Sequence, residues 1–273
     1  MVWLAILDCN PAHLQDFNEL SYGMTVKNKR KMGLINRLLI TLKKMDALVM
    51  DRFIGNSAKD ADLVLCQTFA QKLELYRNTG VHSEVIRNSF FPSDKSGTVD
   101  KEKIILWVGN LRPVKRPDFF LKLVDELPID GWRYILIGRS AGYEKEIENI
   151  KNPDFQALGE LPYSETLHWF KKASIIINSS ISEGFPNTFI QAWLHRVTIL
   201  SLKVDPDNLL KHNELGYVAD DNFEKLKAIL IKLTKSPTFN STMHQNAFNF
   251  ALQALSIKKN VDKLEQLLEK ISV

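Results

Sequence analysis

The sequence of 273 residues lacks the features that mark several large classes of protein. Its two cysteines, Cys9 and Cys66, lie in apolar runs and predict free, buried thiols rather than a disulfide framework. No apolar run reaches the roughly 18 residues needed to cross a bilayer. Residues 2–7 form an apolar run that is too short, and lacks the basic flank, for a signal peptide. The six histidines are scattered singly, so the sequence shows no cluster of metal ligands.

The charge balance narrows the range of partners. A formal net charge of +4 is compatible with anionic nucleotides or acidic lipid surfaces and gives no reason to expect a nucleic acid. Basic residues at positions 27–31 precede an amphipathic helix predicted from Gly33 to Val49. Such a helix can contact anionic lipid, or its basic residues can form the solvated face above a core stripe. Both interpretations stay open.

From residue 103 onward, short apolar runs alternate with amphipathic segments. This pattern predicts an α/β domain with a Rossmann-like, doubly wound parallel sheet covered by helices on both faces. No G-x-G-x-x-G motif follows any predicted strand, which argues against a dinucleotide-dependent oxidoreductase. The predicted strands are residues 104–108, 134–137, 155–158, 174–178, 197–201 and 216–218, and the predicted helices between them include residues 117–127, 143–150 and 164–172.

A polar turn after the strand at 174–178 is the first candidate site. Gly184 allows a tight turn, and Pro186 lies where a helix begins, since its missing N–H is not needed there. The backbone N–H groups and the positive dipole end of that helix suit a phosphate. Glu183, just before the helix, can accept hydrogen bonds from sugar hydroxyls. A strand–turn–helix unit without a ligand is the alternative.

The loop after the strand at 104–108 is the second candidate site. Gly109 lets a ligand approach the backbone, and Lys115 can reach a diphosphate as a mobile point charge. Arg112 and Arg116 add positive charge to the same loop. A basic surface loop without a ligand is the alternative here.

Together these two loops resemble the retaining glycosyltransferases of family four, which have the two-lobed GT-B fold. The run from Glu183 to Asn187 matches the family's Glu-Gly-Phe-Pro loop, and Lys115 lies at the matching distance from Gly109 in the family's Gly-Arg…Lys-Gly loop. Two positions depart from the pattern. Gln191 stands where the family has a second Glu, and Asn110 stands where it has an Arg.

The resemblance, which spans roughly residues 60–220, implies a function and a set of site residues. It implies a metal-independent enzyme of polysaccharide biosynthesis, cytoplasmic or peripheral to the inner face of the membrane, that needs no cofactor besides its nucleotide-diphosphate-sugar donor. The acceptor would be a saccharide or a lipid-linked molecule. The implied catalytic residues are Glu183 and Lys115, and the implied donor-binding residues are Gly109, Asn110, Arg112, Lys115, Gly138, Arg139, Glu160, Leu161, Glu183, Gly184, Phe185, Pro186, Asn187, Thr188 and Gln191.

The resemblance also divides the chain. We expect a partial N-terminal, acceptor-side lobe at residues 1–92, a linker at 93–102, the nucleotide-sugar domain at 103–255, and a C-terminal helix at 256–273 that crosses back to the first lobe or closes the second. The first lobe is shorter than the family's, so the sequence is either a fragment or a shortened homologue. We expect negligible turnover by this chain unless the N-terminal portion is restored. Asp8 and His13 are either remnants of the family's acceptor-side face or part of a surface loop. A pseudoenzyme or subunit that binds nucleotide-sugar without catalysis is the alternative function.

Overall fold

The chain divides into two compact units. The computed structural model describes residues 2–4, 58–90, 100–140, 142–235 and 241–271. The first unit is Met1–Arg87 together with Asn260–Val273, and the second is Asn88–Lys259. The predictions for Asp8, Cys9, His13 and the basic segment at 27–49 lie outside the described residues, as does most of the predicted linker.

The first unit contains a parallel sheet of three strands in the order β1-β2-β3, which are β1 (Val2–Leu4), β2 (Leu63–Cys66) and β3 (Glu84–Val85). Helix α1 (Phe69–Thr79) follows β2. It begins in a capping box, in which the Thr68 hydroxyl accepts a hydrogen bond from the Gln71 N–H and the Gln71 side chain accepts one from the Thr68 N–H. β2 therefore leads through this capping box into α1, and β3 is only 2 residues long.

The second unit contains a six-stranded, wholly parallel sheet in the order β6-β5-β4-β7-β8-β9. The strands are β4 (Ile104–Val108), β5 (Arg133–Ile137), β6 (Phe155–Ala157), β7 (Ile175–Asn178), β8 (Thr198–Ser201) and β9 (Tyr217–Val218). The helices are α2 (Pro117–Glu126), α3 (Glu144–Glu148), α4 (Tyr163–Lys172), α5 (Asn187–Leu194), α6 (Leu209–His212), α7 (Phe223–Lys235) and α8 (Ser241–Ala254), and the chain continues into α9 (Ile257–Ile271).

The four central strands of this sheet, β5, β4, β7 and β8, are almost wholly buried because helices cover both faces, whereas the edge strand β6 is mostly exposed. Ile104 and Leu106 of β4 face one core, which α4, α5, α6 and α8 complete. Ile105 and Trp107 face the opposite core, which includes buried residues of α2 and α7. Side chains of a strand alternate between the two faces, so an uninterrupted apolar run is what a doubly covered sheet requires. The predicted α/β doubly wound fold is confirmed.

The order of the strands creates a switch point between β4 and β7. From β4 the chain adds β5 and then β6 on one side, and β7 then returns to the other side of β4, followed by β8 and β9. Loops that leave β4 and β7 at their carboxyl ends therefore diverge to opposite faces and leave a crevice, where open α/β sheets bind ligands. Both candidate sites from the sequence lie in these two loops.

The C-terminal part is helical, as predicted. Helices α7, α8 and α9 account for most of the described residues from Phe223 onward. Residues Asn260–Val273, which include most of α9, belong to the first unit. Within that unit the Lys263 ammonium donates a hydrogen bond to the Val85 carbonyl at 3.1 Å. Among the described residues, no helix is both long and apolar enough to cross a membrane.

Candidate active site

The ends of β4 and β5 approach each other closely at two glycines. The Gly109 N–H donates a hydrogen bond to the Ile137 carbonyl at 2.9 Å. Gly138 has a φ of +148°, and a Cβ added there would lie 1.8 Å from the Gly109 carbonyl oxygen. No side chain fits that space, so packing of the two strand ends is a sufficient reason for glycine at this position.

The central feature of the site is an ion pair between the two candidate loops. Lys115 ends a short 3₁₀ turn, Pro113–Lys115, after β4, and Glu183 lies in the turn after β7. The Lys115 Nζ lies 2.7 Å from the Glu183 Oε2. Their side chains are 31% and 14% exposed, so water reaches the lysine more than the carboxylate. The fold thus joins two residues that are far apart in the sequence and that were both predicted as catalytic.

The Glu183 carboxylate is fixed by two further hydrogen bonds. Its Oε1 accepts from the Asn178 Nδ2 at 2.8 Å and from the Ser180 hydroxyl at 2.7 Å. Asn178 is the last residue of β7, and its own Oδ1 accepts from the Ser180 N–H at 3.2 Å. The carboxylate therefore has a partner on each oxygen and a defined direction.

The loops after β4 and β7 are also joined directly. The Ile181 N–H donates to the Val114 carbonyl at 2.9 Å. The Ser179 hydroxyl donates to the Lys115 carbonyl at 2.7 Å and accepts from the Trp107 Nε1 at 3.0 Å. These bonds hold the backbone of Lys115 against the turn that carries Glu183.

Helix α5 begins immediately after this turn, as predicted. Pro186 is its N-cap, and no side chain caps the first turn by a hydrogen bond. Phe185 is buried in the core, where its ring lies edge-on to Trp193, so its side chain anchors the turn. Asn187 is exposed, and its Oδ1 accepts from the Asn88 Nδ2 at 2.8 Å. The helix thus presents its N-terminus, through residues Gly184 to Thr188, on the side of Glu183.

Gln191 lies one turn further along α5 and is buried. Its Nε2 donates a hydrogen bond to the Tyr163 hydroxyl at 3.0 Å. Burial raises the pKa of Tyr163, and the hydrogen bond from Gln191 lowers it by a smaller amount. Tyr163 itself, at the start of α4, is 58% exposed. The Gln191 amide is therefore paired with an exposed tyrosine.

The remaining predicted residues lie along the carboxyl edge of the sheet. Asn110 and Arg112 are exposed on the loop after β4. Arg139 and Glu160, after β5 and β6, form an exposed bidentate ion pair, with an Arg139 Nη2 to Glu160 Oε2 distance of 2.9 Å. Leu161 packs against the core on the α4 and α5 side. Arg139 and Glu160 therefore bind each other, and neither one contacts the Lys115–Glu183 pair in the contacts described.

Four residues that hold the site together were not among the predicted site residues. They are Arg116, Asn178, Ser179 and Ser180. Their sequence signal was weak because serine and asparagine after a strand are common in any turn. The roles of Arg116 and Ser179 depend on β4 and β7 being neighbours, which only the sheet order reveals, whereas Asn178 and Ser180 contact Glu183 within the same turn.

Within the described ranges, no group of three or more histidine, cysteine, aspartate or glutamate residues is placed to hold a metal ion. The charged groups at the switch point are a lysine, an arginine and a carboxylate, and a helix N-terminus lies beside them. Such an arrangement can bind an anion and accept hydrogen bonds from hydroxyl groups.

Comparisons with known proteins show the family and the fold of the chain. No curated protein sequence matches the chain. Residues 90–250, more than half of the chain, match the family model described as glycosyl transferases group 1. The chain belongs to the group 1 glycosyl transferases.

Solved structures similar to this group 1 glycosyl transferase share its fold. A mutant of TarM from S. aureus, in complex with fondaparinux, alpha-GlcNAc-glycerol and UDP, is 17% identical over 80% of the chain, with a TM-score of 0.71. Anabaena HepE in complex with UDP and glucose is 17% identical over 80%, with a TM-score of 0.68. The pneumococcal O-GlcNAc transferase GtfA, in complex with UDP and GlcNAc, is 16% identical over 80%, with a TM-score of 0.64.

These likenesses establish the fold as GT-B type. At such identities they do not carry over the substrates of the other proteins. This group 1 glycosyl transferase spans 46% of the TarM chain, 66% of the HepE chain and 47% of the GtfA chain.

Proposed function

We propose that this protein transfers a sugar from a nucleotide-diphosphate-sugar to a hydroxyl acceptor, with retention of configuration and without a bound metal ion. The observation that carries the proposal is the Lys115–Glu183 pair at the β4–β7 switch point. It places a cation for a diphosphate beside a carboxylate for a sugar, next to a helix N-terminus. Membership of group 1 and the GT-B fold support the same reaction class.

The chemical difficulty of such a transfer is the departure of the nucleoside diphosphate. The bond from the anomeric carbon to the terminal phosphate oxygen breaks, and that oxygen takes the electron pair. The acceptor oxygen forms the new bond, and its proton passes to the departing phosphate or to water. Lys115 and the N–H groups at the start of α5, around Phe185 to Thr188, would stabilise the charge on the phosphate.

Glu183 would orient the sugar by accepting hydrogen bonds from its hydroxyls, and Gln191 would bind the ribose. An ammonium that leaves Glu183 for a phosphate frees one carboxylate oxygen for this purpose, while Asn178 and Ser180 keep the other one fixed. Gly109, Asn110, Arg112, Gly138, Arg139, Glu160 and Leu161 would complete the donor site along the edge of the sheet.

We further propose residues 103–255 as the nucleotide-sugar domain, and a saccharide or lipid-linked molecule as the acceptor. UDP-sugars are the donors to test first, because TarM, HepE and GtfA were solved with UDP. Binding without catalysis is the second candidate function. It is favoured by Asn110 and Gln191, which remove an arginine and a carboxylate from the family's pattern.

The test is to incubate the protein with UDP-glucose or UDP-GlcNAc in the presence of EDTA, and to follow both donor binding and UDP release by NMR. Water takes the place of the acceptor in this test, so transfer with retention predicts release of UDP in EDTA together with free sugar that first appears as the α anomer of the donor. Glu183→Gln should lower the release. Binding without release would favour the second candidate, and the absence of binding for both donors would contradict the proposal.

A further inference from the structure

Arg116 has a backbone conformation that arginine rarely adopts. Its φ is 45° and its ψ is 56°, in the left-handed region, and it directly precedes Pro117. A residue with a Cβ is disfavoured in this region, and a residue before proline prefers an extended conformation. The loop that this segment resembles has a glycine at the same place, after its lysine, and glycine adopts left-handed angles freely.

The side chain of Arg116 connects three loops at the carboxyl edge of the sheet. Its Nε donates to the Ser179 carbonyl at 2.8 Å, and its Nη2 donates to the Ser180 carbonyl at 3.4 Å. Its Nη1 binds the Asp221 Oδ1 at 2.7 Å, in the loop after β9. The guanidinium also lies over the Phe119 ring, 4.8 Å from its centroid.

These contacts determine where the two proposed catalytic groups lie. Arg116 follows Lys115 in the chain, and the carbonyls that it binds belong to the turn whose Ser180 hydroxyl contacts Glu183. Asp221 partners the arginine, and Lys203 also lies 3.6 Å from that carboxylate. The charge of Arg116 is thereby compensated by Asp221, and Lys115 remains the cation paired with Glu183.

We propose that Arg116 is a positioning residue, which holds the loops of Lys115 and Glu183 in the arrangement that binds the donor diphosphate. The proposal rests on the proposed function. A glycine would satisfy the backbone at this position and would lose the three side-chain hydrogen bonds and the contact with the Phe119 ring. The left-handed arginine is therefore explained by what its side chain fixes, since a strained conformation persists only where surrounding contacts stabilise it.

Arg196 provides a matched control. It also has a left-handed conformation, with a φ of 54°, and its guanidinium lies over the Phe248 ring, 3.9 Å from the centroid. It lies just before β8, at the amino edge of the same sheet, away from Lys115 and Glu183. Arg196→Gly makes the same chemical change at a position with no proposed role in donor binding.

The experiment compares Arg116→Gly, Arg116→Lys and Arg196→Gly by calorimetric titration of UDP and by hydrogen exchange of the ligand-free proteins. We expect Arg116→Gly to raise the Kd for UDP about tenfold, because Arg116 belongs to the hydrogen-bond network that holds the loops of Lys115 and Glu183. Exchange of the Ile181 amide should become faster. Arg116→Lys should recover part of the UDP affinity and part of the protection of the Ile181 amide. Arg196→Gly should change neither the affinity nor the exchange rate. In the double variant with Lys115→Ala, the two losses of affinity should be less than additive, because Arg116 acts through Lys115.

The other outcomes are decisive in different ways. If the wild-type protein binds no UDP, the proposed function fails, and this inference fails with it. If the wild-type protein binds UDP and Arg116→Gly binds it equally well, or if the two losses add fully, only this inference is overturned. Arg116 would then act on the stability of the loops alone.

Discussion

Glu183 shows how one carboxylate can be fixed for ligand binding. Its oxygens are bound by Lys115, Asn178 and Ser180, and each of these partners comes from the carboxyl end of β4 or β7. Charge-assisted hydrogen bonds of this kind are shorter and stronger than neutral ones. The side chain is therefore held in one orientation before any ligand arrives, which lowers the ordering cost of binding.

A different group of residues at the amino edge of the sheet affects stability rather than binding. His195 is buried and His244 is half-buried, and burial lowers the pKa of each to about 4. Nearby cations add to this effect, namely Lys101 and Lys171 for His195, and Lys101 and Arg196 for His244. The His244 Nε2 lies 2.7 Å from the Thr198 hydroxyl, whereas the buried His195 Nε2 has no hydrogen-bond partner among the described residues.

We predict that the protein loses stability as the pH falls from 6.5 to 4. In this window an unfolded chain protonates both histidines and the folded protein protonates neither, so stability is complete above 6.5 and is lost towards 4. The slope should be about 1.4 kcal/mol per pH unit for each histidine. Urea unfolding at pH 7.5, 6 and 5 measures this change in the free energy of unfolding.

His244→Gln supplies the comparison, because glutamine can keep the hydrogen bond to Thr198 but does not titrate. This variant should show a shallower loss of stability with falling pH than the wild-type protein. An equal slope in both proteins would mean that His244 is protonated in the folded state.

The helices and strands of the second unit could be predicted because their patterns are strong. Each strand is a continuous apolar run and each helix has an apolar face, so their existence and order follow from periodicity. The bounds of short elements were predicted less accurately. For example, α3 spans Glu144–Glu148, whereas residues 143–150 were predicted. The order of strands in the sheet does not follow from local patterns, since it depends on which strands pack together after the chain turns back.

Gly138 shows how tightly the strand ends pack, and it gives a prediction for this element. Gly138→Ala should destabilise the protein by roughly 3 kcal/mol, because the added Cβ meets the Gly109 carbonyl and the φ of +148° is strained. Gly142→Ala is the control. Its φ of +96° is also unfavourable for alanine, but no described atom lies within 4 Å of an added Cβ. It should cost about 1 kcal/mol.

Urea unfolding of both variants separates the cost of the steric clash from the cost of the backbone strain. The difference between them reports the steric clash, because both substitutions share the backbone strain. Equal losses of stability in the two variants would contradict the close approach of β4 and β5.

For the whole molecule, the sequence was most informative about the second unit. The residues of both candidate loops could be predicted from their motifs, and Lys115 and Glu183 do meet. The contacts of Ser179 could not be predicted, because the loops after β4 and β7 approach only in the folded sheet. Asn178 and Ser180 contact Glu183 within one turn, but asparagine and serine are too common in turns to mark that role. The roles of the site residues and the division into an acceptor-side lobe, a linker and a donor domain remain predictions.

The central claim is that Lys115 binds the diphosphate of a nucleotide at the β4–β7 switch point. Its most direct test is calorimetric titration of UDP into the wild-type protein, Lys115→Ala and Lys122→Ala. Lys122, on α2 in the same unit, pairs with Glu126 and supplies the control for the loss of one positive charge. We predict that Lys115→Ala weakens UDP binding by about 10- to 100-fold, since a hydrogen bond to a charged group is lost. Lys122→Ala should bind UDP as the wild-type protein does, whereas equal affinity of Lys115→Ala and the wild-type protein for UDP would contradict the claim.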